Sequence, residues 1–255
     1  MQEATNSQSF RPGFLKRCWY KLYGVWFWVV FTFAALLTLC LIAVMPGQER
    51  RRRIAKRGAS IVFFLTGARP HVSGLHLLPD CASVVVANHA SYLDGILLTA
   101  VLPHQYRFVI KREVTKVPLV NFFLQRIGAH FVERFDKHRG ANDARKIMQT
   151  ANNGASLAFF PEGTFLREPG LRRFHNGAFT IAIRRDMPLV PLAISGTRQM
   201  LPAQRWMPIP VRLRINIREP LLTAEISEVR VALELCRESI LADLDEPDLL
   251  ANEKS

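Results

Sequence analysis

The pattern of hydrophobic and polar positions divides the chain into an apolar leader and an alternating body. From Val25 to Met45 no charged residue interrupts a run that includes Trp26, Trp28, Phe31, Phe33, Leu36, Leu37, Leu39, Leu41 and Ile42. A run of that length suits a membrane helix, since about 20 residues at ~1.5 Å rise cover a hydrocarbon core ~30 Å thick. Trp19, Tyr20, Tyr23, Trp26 and Trp28 crowd its N-terminal end in the manner of an interfacial aromatic belt. Arg50-Arg51-Arg52-Arg53, Lys56 and Arg57 follow the run, and such clusters stay cytoplasmic, which puts the body on that side. Arg11, Lys16, Arg17 and Lys21 make the other flank basic too, so spanning and re-entrant arrangements both remain open. A cleaved signal peptide fits less well, because the hydrophobic core is long and a basic cluster follows it. Pro46-Gly47 supplies a break, and Ile54 to Leu65 reads as a second, interfacial helix. Residues 1–13 are polar and are expected to be disordered.

Beyond Gly67 the pattern alternates between short apolar runs and helical spacings. Val72 to Leu77 is a possible short strand. Strands are expected at Ser83–Ala87, Tyr106–Ile110, Ala129–Glu133, Ser156–Phe160 and Leu189–Ile194. Helices are expected from Ser91 to Leu102, from Pro118 to a stop at Gly128, from Asn142 to Ala151, from Gly177 to Met187 and from Thr223 to Leu244. Arg212 to Ile217 alternates strictly, predicting a strand wet on one side at a sheet edge. The fold class is therefore α/β: a mixed, mostly parallel sheet flanked by helices, with an N-terminal membrane-anchoring helical segment. Residues 1–66 form the tail and anchor, and residues 67–255 a cytoplasm-facing domain.

Charge narrows the choice of partners. The 255-residue chain carries a formal net charge of +13, which calls for a polyanion: nucleic acid, an anionic membrane surface or phosphorylated substrates. No nucleic-acid module is recognisable. Cys18, Cys40, Cys81 and Cys236 show no Cys-x-x-Cys spacing and read as reduced thiols; the histidines show no paired metal-ligand spacing, so no metal is expected.

Two stretches look chemical. Asn88-His89-Ala90-Ser91-Tyr92-Leu93-Asp94 follows a buried strand, where α/β sheets collect ligands. If His89 precedes the helix and Ser91 caps it, Asp94 lies in the first turn and reaches back to His89. That pair makes a general base, with the carboxylate fixing the imidazole tautomer; the alternative is a capping box beside a hydrogen-bonded turn histidine. A Ser-His-Asp hydrolase is disfavoured, as no Gly-x-Ser-x-Gly elbow occurs. Phe160-Pro161-Glu162-Gly163-Thr164 reads either as a strand-ending turn or as a polar loop in which Glu162 bonds a hydroxyl and the Gly163 and Thr164 amides face an anion. Arg134, just past another strand, is either a phosphate ligand or a solvated charge.

In this order the stretches resemble the PlsC-type glycerolipid acyltransferases, the 1-acyl-sn-glycerol-3-phosphate acyltransferases. Residues 88–94 are similar to the family's Asn-His-x-Ser-x-x-Asp block, Gly128–Arg134 to its second block, Phe160–Thr164 to its third and Val190–Ile194 to its fourth, so the likeness spans roughly Val72 to Thr197. The resemblance implies a membrane enzyme that transfers a fatty acyl group from acyl-CoA or acyl carrier protein to the free hydroxyl of 1-acylglycerol-3-phosphate. It needs no cofactor beyond that co-substrate. His89 is then the base and Asp94 its orienting partner. Arg134, Glu162, Gly163, Thr164, Arg167 and Arg172 bind the acceptor and its phosphate, and Val190, Pro191 and Leu192 wall the acyl chain. The implied location is a bacterial inner membrane, with the catalytic domain on its cytoplasmic face and an anionic phospholipid surface as partner. Two departures matter: Phe165 and Leu166 stand where the third block commonly continues with Arg and Ser, and Glu133 stands where Asp is frequent. Arg167, Arg172 or Arg173 then replaces the lost cation, or the acceptor is a different lyso-lipid such as a lyso-aminolipid or glycolipid. A non-enzymatic basic protein of the membrane surface is the remaining alternative.

Overall fold

Seven short strands form one sheet in the order β1-β7-β6-β2-β5-β3-β4: β1 His71–Ser73, β2 Val84–Ala87, β3 Arg107–Lys111, β4 His130–Val132, β5 Leu157–Phe159, β6 Leu189–Ser195 and β7 Arg214–Ile217. The computed structural model describes residues 13–133, 137–226 and 228–250. Eight α-helices are present among them: α1 Phe14–Val44, α2 Gln48–Leu65, α3 Leu93–Val101, α4 Pro118–Ile127, α5 Lys137–Asn152, α6 Gly177–Arg184, α7 Thr197–Met200 and α8 Val229–Leu241. The expected tail, residues 1–13, falls outside this range except for Gly13. Strands β2 to β6 run parallel, β7 is antiparallel to β6, and β1 is parallel to β7.

The continuous Val-rich run of β2 reflects its place: all four residues are buried, because each sheet face is covered by helices. Val85, Ala87, Ala158, Val190 and Leu192 face a core shared with α1, α2 and α3, and Val84, Val86, Leu157 and Leu189 face one shared with α5, α6 and α8. In chain order β5 and β6 are inserted on either side of β2, so the loops leaving β2 and β5 meet at the carboxyl end of the sheet.

Three expectations need correction. The strand expected at an edge, β7, is second from it, covered by β1. Its alternation marks one solvent-facing side, with Ile215 and Ile217 buried and Arg214 outward, and a wet face is not an unpaired edge. Strand β1 stops at Gly74, whose left-handed backbone (φ 74°) turns the chain into a 3-10 turn over Leu75–Leu77. A Cβ there would stand 2.1 Å from the Ile217 carbonyl oxygen. The helix expected from Thr223 is split, with a 3-10 turn over Thr223–Glu225 before α8. The Thr223 hydroxyl is drawn to the Met187 carbonyl (3.2 Å), a side-chain bond that competes with helix formation.

Helices α1 and α2 form a hairpin. Gly58 on α2 lets them approach so closely that a Cβ would lie 2.1 Å from Thr38 Oγ1. Tyr23, Phe27, Val30, Ala34, Thr38 and Ile42 repeat every three or four residues and bury one stripe of α1, while Trp19, Val25, Phe33 and Leu36 stay exposed on the rest. Helix α1 is the one described helix long and apolar enough to cross a membrane. It does not stand away from the body. Trp28 Nε1 donates to the Trp206 carbonyl (2.6 Å) at the middle of the helix, and Arg126 donates to the carbonyls of Ile42 (3.2 Å) and Ala43 near its C-terminal end. The basic cluster lies inside α2 and partly caps helix ends. Arg51 Nε bonds the Met45 carbonyl (2.7 Å), and Lys56 Nζ bonds those of Val101 and Leu102 (2.9 Å each).

Candidate active site

The turn after β2 is built around one carboxylate oxygen. Asp94 is fully buried in the first turn of α3, and its Oδ2 accepts from His89 Nδ1 (2.8 Å), the Ala90 amide (2.6 Å) and the Ser91 amide (2.8 Å). An ionised carboxylate only accepts, so the Nδ1 proton must sit between the two residues, leaving the Nε2 lone pair of His89 directed away. The turn is anchored from behind by Asn88, whose buried amide donates to the Ile194 carbonyl (2.9 Å) and accepts from the Ile194 amide (2.7 Å), continuing the β2–β6 ladder with a side chain. Ser91 is fully buried and its hydroxyl is committed, donating to the Leu201 carbonyl (2.7 Å) and accepting from the Leu93 amide (3.3 Å). It is no nucleophile, and the capping reading survives alongside the His-Asp pair.

The second loop joins the first through Glu162. This residue is 3% exposed, with Oε1 accepting from the His89 amide (2.7 Å) and Oε2 from the Arg172 amide (2.9 Å). Stacked against the imidazole are two rings, Phe160 at 4.4 Å between centroids and Phe165 edge-on at 4.7 Å, with Tyr92 beyond Phe165 at 4.8 Å. The His89 side chain keeps 19% of its surface exposed. The geometry therefore provides an oriented, partly accessible imidazole in an aromatic setting, backed by a buried anion: the arrangement of a general base.

Known proteins match this order of elements. A family model described as Acyltransferase matches residues 69–195. A chloroplastic 1-acyl-sn-glycerol-3-phosphate acyltransferase of Brassica napus is 31% identical over 193 residues, covering 71% of this chain and 56% of that protein. The alpha 1-acyl-sn-glycerol-3-phosphate acyltransferase of Mus musculus is 25% identical over 219 residues, 84% of this chain and 76% of its own length. The chain thus spans just over half the length of the plant relative. The crystal structure of the 1-acyl-sn-glycerophosphate acyltransferase PlsC from Thermotoga maritima has the same fold, with a TM-score of 0.74 at 24% identity, over 88% of this chain and 94% of that one. The chain belongs to the acyltransferase family.

Within this acyltransferase the other expected site residues divide. Arg172 joins the site: besides its amide bond to Glu162, its guanidinium donates to the Thr164 carbonyl (3.3 Å). Arg167 is exposed. Arg134 lies outside the described residues; the strand before it, β4, is the sheet's edge, three strand spacings or ~14 Å from β2. The Gly163 amide, expected to face an anion, donates instead to the Phe160 carbonyl (2.9 Å), closing a turn in which Gly163 takes φ 76°. Val190 and Leu192 are fully buried in the core beneath α1–α3, and strand alternation turns Pro191 to the opposite face, so the three do not form one wall. The rings of Phe160, Phe165 and Tyr92 were not expected as site residues; the departure at Phe165 was the available signal.

Burial raises the Glu162 pKa above the ordinary carboxylate range, against the opposing pull of the His89 and Arg172 amides. The native state then holds the proton to higher pH than the unfolded chain, so this group's contribution to stability is present below the unfolded value of ~4.3 and is lost as pH rises through the native one. Denaturant unfolding from pH 4 to 7 should show the wild type losing stability relative to Glu162→Gln as pH increases. A difference that is flat or grows with pH contradicts this.

Proposed function

We propose that this enzyme transfers an acyl group from acyl-CoA or acyl carrier protein to the free hydroxyl of 1-acylglycerol-3-phosphate, giving phosphatidic acid at a membrane surface. The observation that carries the reading is the His89–Asp94 pair with Nε2 left open. In the reaction Nε2 takes the proton of the acceptor hydroxyl as its oxygen attacks the thioester carbonyl carbon. The C–S bond breaks as the tetrahedral intermediate collapses, and the imidazolium returns the proton to the departing thiolate. Asp94 stabilises the imidazolium during that interval. No further cofactor is needed, because the thioester is already activated. Arg172, beside Glu162 and the Thr164 carbonyl, is the described cation best placed for the acceptor phosphate, in agreement with the charge-assisted bonds such a group requires.

The membrane reading rests on the exposed apolar side of α1 and the net charge of +13. Because α1 is held along the body from its middle to its C-terminal end, its outer face there meets one leaflet sideways, with the body on the cytoplasmic face of a bacterial inner membrane. The lysophospholipid then reaches His89 without leaving the lipid.

A second reading is favoured by Phe165, whose ring stands against His89 and Tyr92 where the family commonly carries Arg. An apolar group there suits an acceptor without the usual phosphate, such as a lyso-aminolipid or glycolipid. Turnover with one acyl donor and a panel of acceptors, in vesicles of phosphatidylglycerol and phosphatidylethanolamine, separates the two. The first reading expects 1-acylglycerol-3-phosphate to be preferred over 1-acylglycerol, and indifference to the phosphate sinks it. In the same assay Phe165→Arg should raise the phosphate preference about tenfold, the effect of one charge-assisted hydrogen bond. An unchanged ratio would mean that residue 165 does not face the acceptor head group.

A further inference from the structure

The loop from Glu162 to Arg173 carries the acceptor-binding residues, and its far half is held almost entirely by the C-terminal end of the chain. The Gly170 amide donates to Glu246 Oε2 (2.8 Å) and the Leu171 amide to the Pro247 carbonyl (2.9 Å), while the Leu249 amide returns a bond to the Leu171 carbonyl (3.2 Å). Residues 171 and 248 thereby form a parallel bridge, an additional rung outside the main sheet. Gly170, at φ 137°, lies so close to this segment that a Cβ would meet Leu249 Cγ at 2.5 Å.

Two arginines from other elements lock the arrangement. Arg237 on α8 is 7% exposed; its guanidinium pairs with both oxygens of Asp248 and donates to the carbonyls of Leu171 (3.0 Å) and Arg172 (3.4 Å). Arg198 on α7 grips Glu246 with Nε (2.7 Å) and Nη2 (3.0 Å) and donates from Nη1 to the Leu166 carbonyl (2.6 Å). A buried guanidinium with paired carboxylate and carbonyl partners is a geometric constraint, because every donor lost would leave a charge unsatisfied. What these bonds hold is the backbone of Leu166, Gly170, Leu171 and Arg172, the last of which bonds Glu162 and so reaches the His89 amide.

We propose that residues 246–249, fixed by Arg198 and Arg237, are the positioning element of the acceptor-binding loop: they set where Arg172 presents its guanidinium and thereby the affinity for the lysophospholipid head group. Asp248, Glu246, Arg237 and Arg198 are positioning residues, without contact to the reacting atoms. The inference rests on the acyl-transfer reading for its kinetic consequence and on the hydrogen bonds alone for its structural one, and the two are measured separately. In Asp248→Ala, on the full-length protein in phosphatidylglycerol vesicles, hydrogen exchange at the Gly170 and Leu171 amides should accelerate about tenfold or more while that of the β2 amides is unchanged. With acyl-CoA as donor, the KM for 1-acylglycerol-3-phosphate should rise about tenfold, with the donor KM within about twofold and kcat little affected. A merely structural role would reduce the active fraction and lower kcat without moving one KM selectively. If Asp248→Ala does not fold, Asp248→Asn keeps the shape of the pair and should show the same selective change at smaller size. Unchanged exchange at Gly170 and Leu171 overturns the latch, and faster exchange with both KM values unchanged overturns its positioning of the acceptor. A wild type inactive on every acceptor overturns the proposed function, while the exchange result still decides the latch.

Discussion

His89→Ala is expected to lower kcat by about 100- to 10,000-fold, the range that a positioned general base contributes. The structure gives a reason to expect a clean loss. The bond from Glu162 is to the backbone amide of His89, and the amides of Ala90 and Ser91 hold Asp94 independently of the imidazole, so truncation removes the base while both loops keep their ties. Vesicle binding should be unchanged, as α1 and the basic face of α2 are untouched. The relevant measurement is label transferred from acyl-CoA to lipid at saturating substrate, with vesicle co-sedimentation alongside. Activity within tenfold of the wild type would remove His89 from the mechanism.

Asp94→Asn should cost nearly as much in kcat, about 100- to 1,000-fold, for a different reason. An asparagine oxygen can still accept the three donors that now converge on Oδ2, so the turn survives. The neutral amide, however, no longer stabilises the imidazolium formed when the acceptor is deprotonated. The second carboxylate oxygen, Oδ1, is buried with no hydrogen-bond partner among the described residues, and the substitution would place an NH2 group there. An unsatisfied buried donor costs about 1–3 kcal/mol, so the variant should also unfold at lower denaturant. Asp94→Ala, which strands the Ala90 and Ser91 amides as well, should be less stable again. Near-normal turnover by Asp94→Asn would reduce Asp94 to a structural cap.

The His-Asp pair was legible in the sequence because its parts lie within one heptapeptide after a strand, where local spacing alone restricts the geometry. The parallel sheet and its flanking helices were legible for the same kind of reason, through apolar runs and helical periodicity. The task of Glu162 was not. A carboxylate in a strand-ending turn reads as a ligand for a hydroxyl, and only the adjacency of β2 and β5 reveals that both its oxygens join loops 73 and 10 residues away. The ties between residues 246–249 and the loop were hidden more deeply, since they join backbone groups to side chains 66 and 76 residues away, a separation at which no local spacing pairs them. The fourth block misled for a related reason: an apolar strand looks the same whether its side chains line a substrate channel or, as with Val190 and Leu192, a closed core. Phe165 is the opposite case. It stood out as a departure from the family pattern, and the structure sets its ring edge-on against the His89 imidazole.

An activated acyl group is expected to pass to a lipid hydroxyl with His89 as base. The most direct test supplies acyl-CoA labelled in the acyl chain to the wild-type protein in phosphatidylglycerol vesicles, with either 1-acylglycerol-3-phosphate or its 2-deoxy analogue. The label should appear in phosphatidic acid with the first acceptor, with one equivalent of free CoA released, and not with the second. Release of labelled free fatty acid at the same rate with both acceptors, or no consumption of thioester with either, would contradict the account.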